Sequence, residues 1–160
     1  MGQVNYAQYA ERIPLFRGLA AEDVADILNR GQMRNFSQGK VIFERGTRGN
    51  MLYIVFSGIV DILAGDFPIA QCNVGDAFGE MSAIDHRPHT ATAVAGTDVL
   101  VFTLSENQLA EILKQRIAVR LLLNVIHLLS GYLAETNSHI AAMESKLTRI
   151  ERTRTPVRHE

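Results

Sequence analysis

The spacing of apolar residues changes twice along the chain and divides it into three regions. From about residue 5 to 31 the spacing is helical, and in LAAEDVADILNRG it places Leu19, Val24, Ile27 and Leu28 on one helix face. From about residue 33 to 104, short apolar runs are interrupted by glycines. Helical spacing returns after Ser105 and continues towards the C terminus. The pattern therefore predicts N-terminal helices, a β-domain and C-terminal helices.

The middle region predicts a small antiparallel barrel. Its apolar runs are rich in Val, Ile, Phe and Tyr and stop at turn residues, as in VIFERG, MLYIVFSG, IVDILAGD, PIAQCNVGD and TATAVAGTDVLVFTL. Ala64-Gly65-Asp66 is typical of a tight hairpin. Short strands at such close intervals indicate a barrel or jelly roll. We therefore expect an α+β fold: an antiparallel β-roll with N-terminal helices and a long C-terminal helix.

The C-terminal region predicts a dimerisation helix. Ser105 is a candidate N-cap for a helix over about 106–113, and a much longer helix follows. In the long helix, spacings of four and three alternate along a heptad seam formed by Leu122, Ile126, Leu129, Leu133, Thr136, Ile140, Met143, Leu147 and Ile150. Such a seam needs a partner helix, and the simplest is the same helix of a second copy in a parallel coiled coil. The alternative is a single helix lying along its own domain. Thr136, the polar member of the seam, is expected to fix the register or to contact a ligand.

Composition and charge narrow the class of protein. The chain has 160 residues, with 47% apolar residues, 21% charged residues and a formal net charge of −1. These values are typical of a globular domain that is not attracted to nucleic acid or anionic membranes by its overall charge. A single cysteine, Cys72, excludes a disulfide framework and a multi-cysteine metal site. No secretory signal is evident at the start, and we expect a cytoplasmic protein without membrane association.

The stretch GDAFGEMSAIDHRPHTATAVA, residues 75–95, holds the candidate chemistry. Gly75 and Gly79 allow tight turns and a close approach of the backbone to a ligand. Free amide groups at the start of a helix can bind a phosphate. Glu80 would repel a phosphate, but its carboxylate can accept hydrogen bonds from sugar hydroxyls. This local pattern fits an ordinary hairpin followed by a helix equally well.

Over about residues 13–140 the order of elements resembles the cyclic-nucleotide-binding domain of the catabolite-activator type. The segments that carry the resemblance are IPLFRGLAAEDVADIL, GKVIFERGTRGNMLYIVFSGIVDI, GDAFGEMSAIDHRPHTATAVA, VLVFTLSENQLAEIL and LSGYLAETNSHI. The resemblance implies a pocket inside the β-roll, closed by the long helix. It implies a cyclic mononucleotide as ligand, cAMP first and cGMP second.

The resemblance also implies roles for residues of the loop. Gly79 and Glu80 match the positions that bind the ribose 2′-hydroxyl. Met81 and Ser82, with Ala83, match the short helix whose amide groups face the phosphate.

Further positions follow from the same resemblance. Thr90 and Ala91 match the small residues after the family's phosphate-binding arginine, and a Thr there is similar to members that favour cGMP. Thr136 and Asn137 match a polar pair that reaches the adenine, one residue of the pair acting across the dimer.

The chain departs from the family pattern at the arginine itself. His89 stands at that position, nine residues after Glu80. Arg87 lies two residues earlier, beyond Pro88, and we expect it to project elsewhere. Imidazole offers one donor and a marginal charge near pH 7, and losing a charge-assisted bond of about 1.5–3 kcal/mol weakens binding about 10- to 100-fold. If His89 must be protonated, affinity is predicted to rise as pH falls from about 8 to about 6.

Other chemistry is less favoured by the sequence. Asp85, His86 and His89 could ligate a metal but lack a further strong ligand nearby, and Ser82 with the same residues shows no nucleophile-elbow pattern. Haem ligation by His127 or His139 would require lone helix histidines, which are usually packing or surface residues. We expect neither a metal site nor an enzyme.

The sequence thus predicts a sensor with residues 1–113 as the β-roll domain, 114–152 as the dimerisation helix and 153–160 as a tail. Ligand binding would shift the long helix and change what the homodimer presents to an unknown protein partner. Two alternatives remain: a dimerisation module with a degenerate pocket, and the sensor part of a transcription regulator without its DNA-binding domain. A helix-turn-helix module of about 50 residues does not fit between the long helix and Glu160, so this chain alone is not expected to bind DNA.

Overall fold

The computed structural model describes residues 12–85 and 87–154. It divides the chain into two compact units, the first running through Asn124 and the second beginning at Val125. The first unit holds the helical N-terminal segment, the β-roll and the start of the long helix. The domain bounds given above stay a prediction.

The N-terminal segment contains a 3-10 turn at Pro14–Phe16 and helix α1 at Ala21–Arg30. Val24 and Ile27 are buried on one face of α1, as the apolar spacing predicts. Acidic residues in its first turn and Arg30 in its last are favourable to the helix dipole. Leu15 and Phe16 are buried beside this helix in the core.

Two antiparallel four-stranded sheets form the β-roll. The strands are β1 Gln32–Phe36, β2 Val41–Phe43, β3 Met51–Ser57, β4 Val60–Ala64, β5 Phe67–Cys72, β6 Ala77–Phe78, β7 Thr92–Ala95 and β8 Val99–Ser105. One sheet has the order β1-β8-β3-β6 and the other β2-β7-β4-β5. The predicted β-roll of an α+β fold is therefore confirmed.

The inner faces of the two sheets make the hydrophobic core. In β7 the burial alternates residue by residue, because successive side chains of a strand point to opposite faces. Strands β3 and β8 lie inside their sheet and are buried over most of their length. The core cluster comprises Tyr53, Val55, Val60, Cys72, Phe78, Ala93, Ala95, Val99 and Val101.

Strand β5 lies at the edge of its sheet and is exposed at five of its six residues. The β4–β5 hairpin turns at Gly65, whose φ of 63° confirms the tight turn predicted there. Pro68 provides no N–H on this edge strand, and the register shifts between Ile62 and Leu63 on its neighbour. Both features limit edge-to-edge strand pairing.

Two short helices flank the last strands: α2 at Glu80–Asp85 lies between β6 and β7, and α3 at Glu106–Leu113 follows β8. Ser105 caps α3, as predicted from the sequence, and the structure adds a capping box with Gln108. The observed bounds of α3 match the predicted helix. Ile112 of α3 is fully buried.

The long helix α4 spans Ala118–Arg154. Its start belongs to the first unit, where Leu121 is buried and the Asn124 side-chain amide donates to the carbonyls of Leu15 and Arg17 at 2.8 and 2.9 Å. Arg116, just before the helix, pairs with Asp23 of α1 at 3.0 Å. These contacts hold the residues around the start of α4, up to Asn124, against the rest of the first unit.

The seam residues of α4 are exposed in the single chain. Seven apolar members are 43–64% exposed, namely Leu122, Ile126, Leu129, Leu133, Ile140, Met143 and Leu147. The side chain of Ile150 lies outside the described part. In the described residues, Ala118–Arg149 is also long and apolar enough to span a membrane by length and composition, and an 18-residue stretch within it has a mean hydropathy of 1.2. The prediction of no membrane association therefore stays a prediction.

Candidate functional site

The turn into α2 requires a glycine at position 79. Gly79 has a φ of 77°, in the left-handed region that other residues rarely adopt. A Cβ there would lie 2.9 Å from Cδ2 of Tyr53 and 3.0 Å from the carbonyl oxygen of Met51. The backbone of the turn is thus packed directly on strand β3.

Glu80 is the first residue of α2 and is half-buried. Burial raises the pKa of its carboxyl above the ordinary value of 4.5, and a hydrogen bond from its own backbone amide opposes that rise. A half-buried carboxyl in this position can accept hydrogen bonds from a neutral hydroxyl without a nearby cation.

Ser82 joins α2 to the segment that leads into β7. Its side chain is buried, with 2% exposure, and its hydroxyl donates to the carbonyl oxygen of Arg87 at 2.5 Å. This bond holds residues 79–82 against residues 87–91, so the structure brings together two parts of the predicted site. Met81, between Glu80 and Ser82, is exposed.

His89 is buried, with 7% exposure, and its ring lies flat on the ring of Phe43. The two ring centroids are 3.7 Å apart and the planes differ by 7°. The backbone of His89 is also fixed: its N–H donates to Thr47 at 2.9 Å and its carbonyl accepts from Gly46 at 2.8 Å. His89 is therefore held between the loop before β3 and an aromatic ring.

Gly49 makes room for this arrangement. A Cβ at position 49 would lie 2.1 Å from Nε2 and 2.5 Å from Cε1 of His89. Any side chain there would force the imidazole off Phe43. Sequence reasoning connected neither Gly49 nor Phe43 with His89.

An aromatic cluster connects the two halves of the site. Phe43 lies 5.6 Å from Tyr53 and 5.9 Å from Phe78, and Tyr53 stacks on Phe78 at 5.0 Å between ring centroids. Tyr53 contacts the turn at Gly79, and Phe43 contacts His89. The aromatic cluster thus packs against both the turn at Gly79 and the His89 ring.

Burial lowers the pKa of His89 below the ordinary value of 6.5. The side chain is consequently neutral through most of the range from pH 8 to 6. The position that matches the family's arginine therefore carries no permanent charge, and the pH range in which His89 gains a proton lies lower than the sequence suggested.

The two residues after His89 differ in burial. Thr90 is exposed, whereas Ala91, just before β7, is buried. A small residue at 91 is consistent with close packing, and the Thr90 hydroxyl is accessible to solvent.

Thr136 and Asn137 lie on α4 within the second unit and are exposed. The Thr136 hydroxyl donates to the carbonyl of Tyr132 at 2.8 Å, which satisfies it within the helix. Their proposed contact with a ligand stays a prediction.

The less favoured sites of the sequence gain little support. In residues 12–85 and 87–154, no group of three or more His, Cys, Asp or Glu side chains could hold a metal ion. His86 lies outside the described residues. His127 and His139 are exposed on α4. Cys72 is a buried free thiol, and burial with the negative charges of Asp76 and Glu80 raises its pKa to about 12.

The β-roll and its glycine–glutamate turn define a ligand-binding domain of the nucleotide-sensing class. A family model described as the cyclic nucleotide-binding domain matches residues 33–116. The chain belongs to the cyclic nucleotide-binding domain family.

Relatives are found among regulatory proteins. The chain is 42% identical over 96 residues to a cyclic AMP receptor protein of Thermus thermophilus, a match covering 57% of this chain and 44% of the relative. It is 33% identical over 90 residues to a cAMP-dependent protein kinase regulatory subunit of Candida albicans, covering 56% of this chain and 20% of the relative. The chain thus spans less than half the length of these curated relatives.

A solved structure is similar as well. The crystal structure of Thermus thermophilus catabolite activator protein matches with a TM-score of 0.70 and 34% identity, covering 82% of this chain and 63% of that one. This similarity supports the family resemblance inferred from the sequence.

Proposed function

We propose that this chain is a regulatory domain that binds a cyclic mononucleotide, cAMP first and cGMP second, and is not an enzyme. The observation that carries the proposal is the hydrogen bond from Ser82 to Arg87, which holds the turn at 79–82 beside residues 87–91. These are the two segments that the family uses for the sugar and the phosphate. The names of the two curated relatives, which refer to cyclic AMP, support cAMP as the first ligand to test.

In this proposal Glu80 accepts a hydrogen bond from the ribose 2′-hydroxyl. Its half-buried carboxyl, with a raised pKa, suits a neutral hydroxyl partner better than water-exposed ion pairing. Backbone amides of Met81 and Ser82, with the hydroxyl of Thr90, are proposed to face the phosphate. Thr136 and Asn137 are proposed to reach the base.

A second candidate function rests on His89. Its ring is buried against Phe43 and its pKa is lowered, so the usual position of the phosphate-binding cation is neutral. A degenerate pocket on a dimerisation module would have this feature. The two candidate functions predict different affinities of the chain for cyclic nucleotides.

Titration calorimetry of the full chain with cAMP and with cGMP separates the two candidates. We expect micromolar affinity for cAMP and weaker affinity for cGMP. Glu80→Gln keeps the size of the side chain but weakens acceptance from the hydroxyl, and we expect a loss of about tenfold. Millimolar or absent binding of both nucleotides by the wild type would favour the degenerate module.

The pH dependence of binding tests the part played by His89. Because burial lowers its pKa below 6.5, we expect affinity to change little from pH 8 to 6.5 and to rise only below pH 6.5, as the ring gains a proton. His89→Gln, measured in parallel at pH 8, 6.5 and 5.5, should lack that additional rise. A gain of the same size in both proteins would remove His89 from the phosphate site.

We also propose that α4 transmits the binding of the ligand, and that it does so as a parallel coiled coil in a homodimer. The exposed seam from Leu122 to Leu147 supports this proposal, because an apolar stripe of that length is stable in water only when it is covered. A ligand that favours one arrangement of α4 would change what the dimer presents to a protein partner. A cytoplasmic location belongs to the same proposal, and the sensor part of a transcription regulator stays an alternative to it.

A further inference from the structure

Two arginines, Arg48 and Arg87, lie close to His89 in the chain or across the pairing. The backbone pairing shows which of them is on the same side of the paired segments as His89. Arg48 and Pro88 form an isolated antiparallel bridge, and the His89 N–H donates to Thr47 at 2.9 Å. Residues 87–89 are therefore extended against residues 47–49. Since side chains alternate along extended backbone, Arg48 and Pro88 lie on one side of this pair, and Arg87 and His89 lie on the other.

On the side of the pair that holds Arg87 and His89, the His89 ring covers Gly49. Gly49 stands opposite Arg87 in the antiparallel register and contributes no side chain. The sequence led us to expect that Pro88 would direct Arg87 away from His89. The register argues against that expectation, because two residues separated by one position share a side.

The backbone of Arg87 is hydrogen-bonded to α2, the short helix that carries part of the candidate site. Its carbonyl accepts the hydrogen bond from the buried Ser82 hydroxyl of α2 at 2.5 Å. This bond places the Arg87 backbone beside Ser82, two residues after Glu80 in the same short helix. A long side chain that starts there begins within the site itself.

The two residues differ in the charge that they can offer. His89 is buried flat on Phe43, whereas Arg87 is exposed to solvent and permanently charged. A guanidinium also presents two parallel donors that match two phosphate oxygens. We propose that Arg87 supplies the cation that binds the phosphate of the ligand, in the place of the arginine that His89 has replaced.

This inference rests on the proposed function and deepens it by naming a further binding residue. The ligand class is an anionic phosphodiester. Its negative charge pairs with the Arg87 guanidinium at the solvent-exposed edge of the site rather than with a group in the interior. An exposed guanidinium is screened by salt more than a buried one. Affinity should therefore fall as ionic strength rises, and the fall should depend on Arg87.

Titration calorimetry with cAMP on the full chain tests the inference, using Arg87→Gln, Arg87→Lys and the matched control Arg48→Gln. Arg48 lies with Pro88 on the side of the bridge opposite to His89, so Arg48→Gln removes the same charge from a residue that does not face the site. We expect Arg87→Gln to weaken binding about 10- to 100-fold and to flatten the salt dependence, and Arg87→Lys to retain part of the affinity. Arg48→Gln should change affinity by less than about twofold.

The outcomes separate this inference from the function on which it rests. Wild-type protein that binds neither cAMP nor cGMP overturns both. Wild-type binding with an unchanged Arg87→Gln, or with equal losses in Arg87→Gln and Arg48→Gln, overturns the role of Arg87 alone. Unchanged thermal unfolding of each variant confirms that a loss of affinity does not come from a loss of folding.

Discussion

Replacing Leu133 and Ile140 by glutamate is expected to convert the proposed dimer into a monomer. Both side chains are exposed in the single chain, at 63% and 50%, and occupy equivalent positions of neighbouring heptads of the seam. Burying each in a coiled coil contributes about 1.5–3 kcal/mol, and the substitutions also bring like charges together. The dimer dissociation constant should rise by about 1,000-fold or more, as measured by sedimentation equilibrium over a concentration series.

The matched control adds the same charges to the other side of α4. Ser138 and Ser145 are exposed and lie opposite the seam in the heptad. Ser138→Glu with Ser145→Glu should leave the dimer intact. A wild type that is monomeric at tens of micromolar, or a control that dissociates as readily as the seam variant, would refute the coiled-coil dimer.

The substitution Phe102→Ala is expected to lower the free energy of unfolding by about 3–5 kcal/mol. Phe102 is 1% exposed in β8, an inner strand of its sheet, and its ring lies 5.9 Å from that of Phe56. Its ring also fills the space beside Gly31, where a Cβ would lie 2.2 Å from Cζ. Urea unfolding monitored by circular dichroism measures the loss.

Phe67→Ala is the control for Phe102→Ala because it removes the same ring from an exposed position. Phe67 is 76% exposed at the start of edge strand β5. Its replacement should change stability by no more than about 0.5 kcal/mol. Both variants must be compared with the wild type at one protein concentration, since dimerisation makes apparent stability depend on concentration. Equal losses at the two positions would contradict the assigned core.

Most of the fold could be predicted from local patterns in the sequence. The apolar runs cut by glycine identify the strands, and Ser105 with Gln108 fixes the start of α3, because capping depends on residues three positions apart. The hairpin at Gly65 and the seam of α4 follow from equally local spacings. Such features depend on short stretches of chain and need no knowledge of which strands pair.

The geometry of the candidate site could not be predicted in the same way. The stack of His89 on Phe43, the space left by Gly49 and the bridge from Arg48 to Pro88 join residues about 40 positions apart. The sequence alone therefore identified His89 as unusual, but it could not show that the ring is buried against Phe43. Only the pairing of the two segments shows that a neutral ring fills the position and that Arg87 shares its side.

The burial of Cys72 has a practical consequence for following the motion of α4. A thiol with a pKa near 12 forms almost no thiolate at neutral pH, so it reacts slowly with maleimides and with mild oxidants. A cysteine introduced on the exposed surface of the long helix would then be labelled selectively in the otherwise native chain. Distances measured by spectroscopy between two such labels could report on the separation of the two α4 helices, and Cys72 would not need to be replaced.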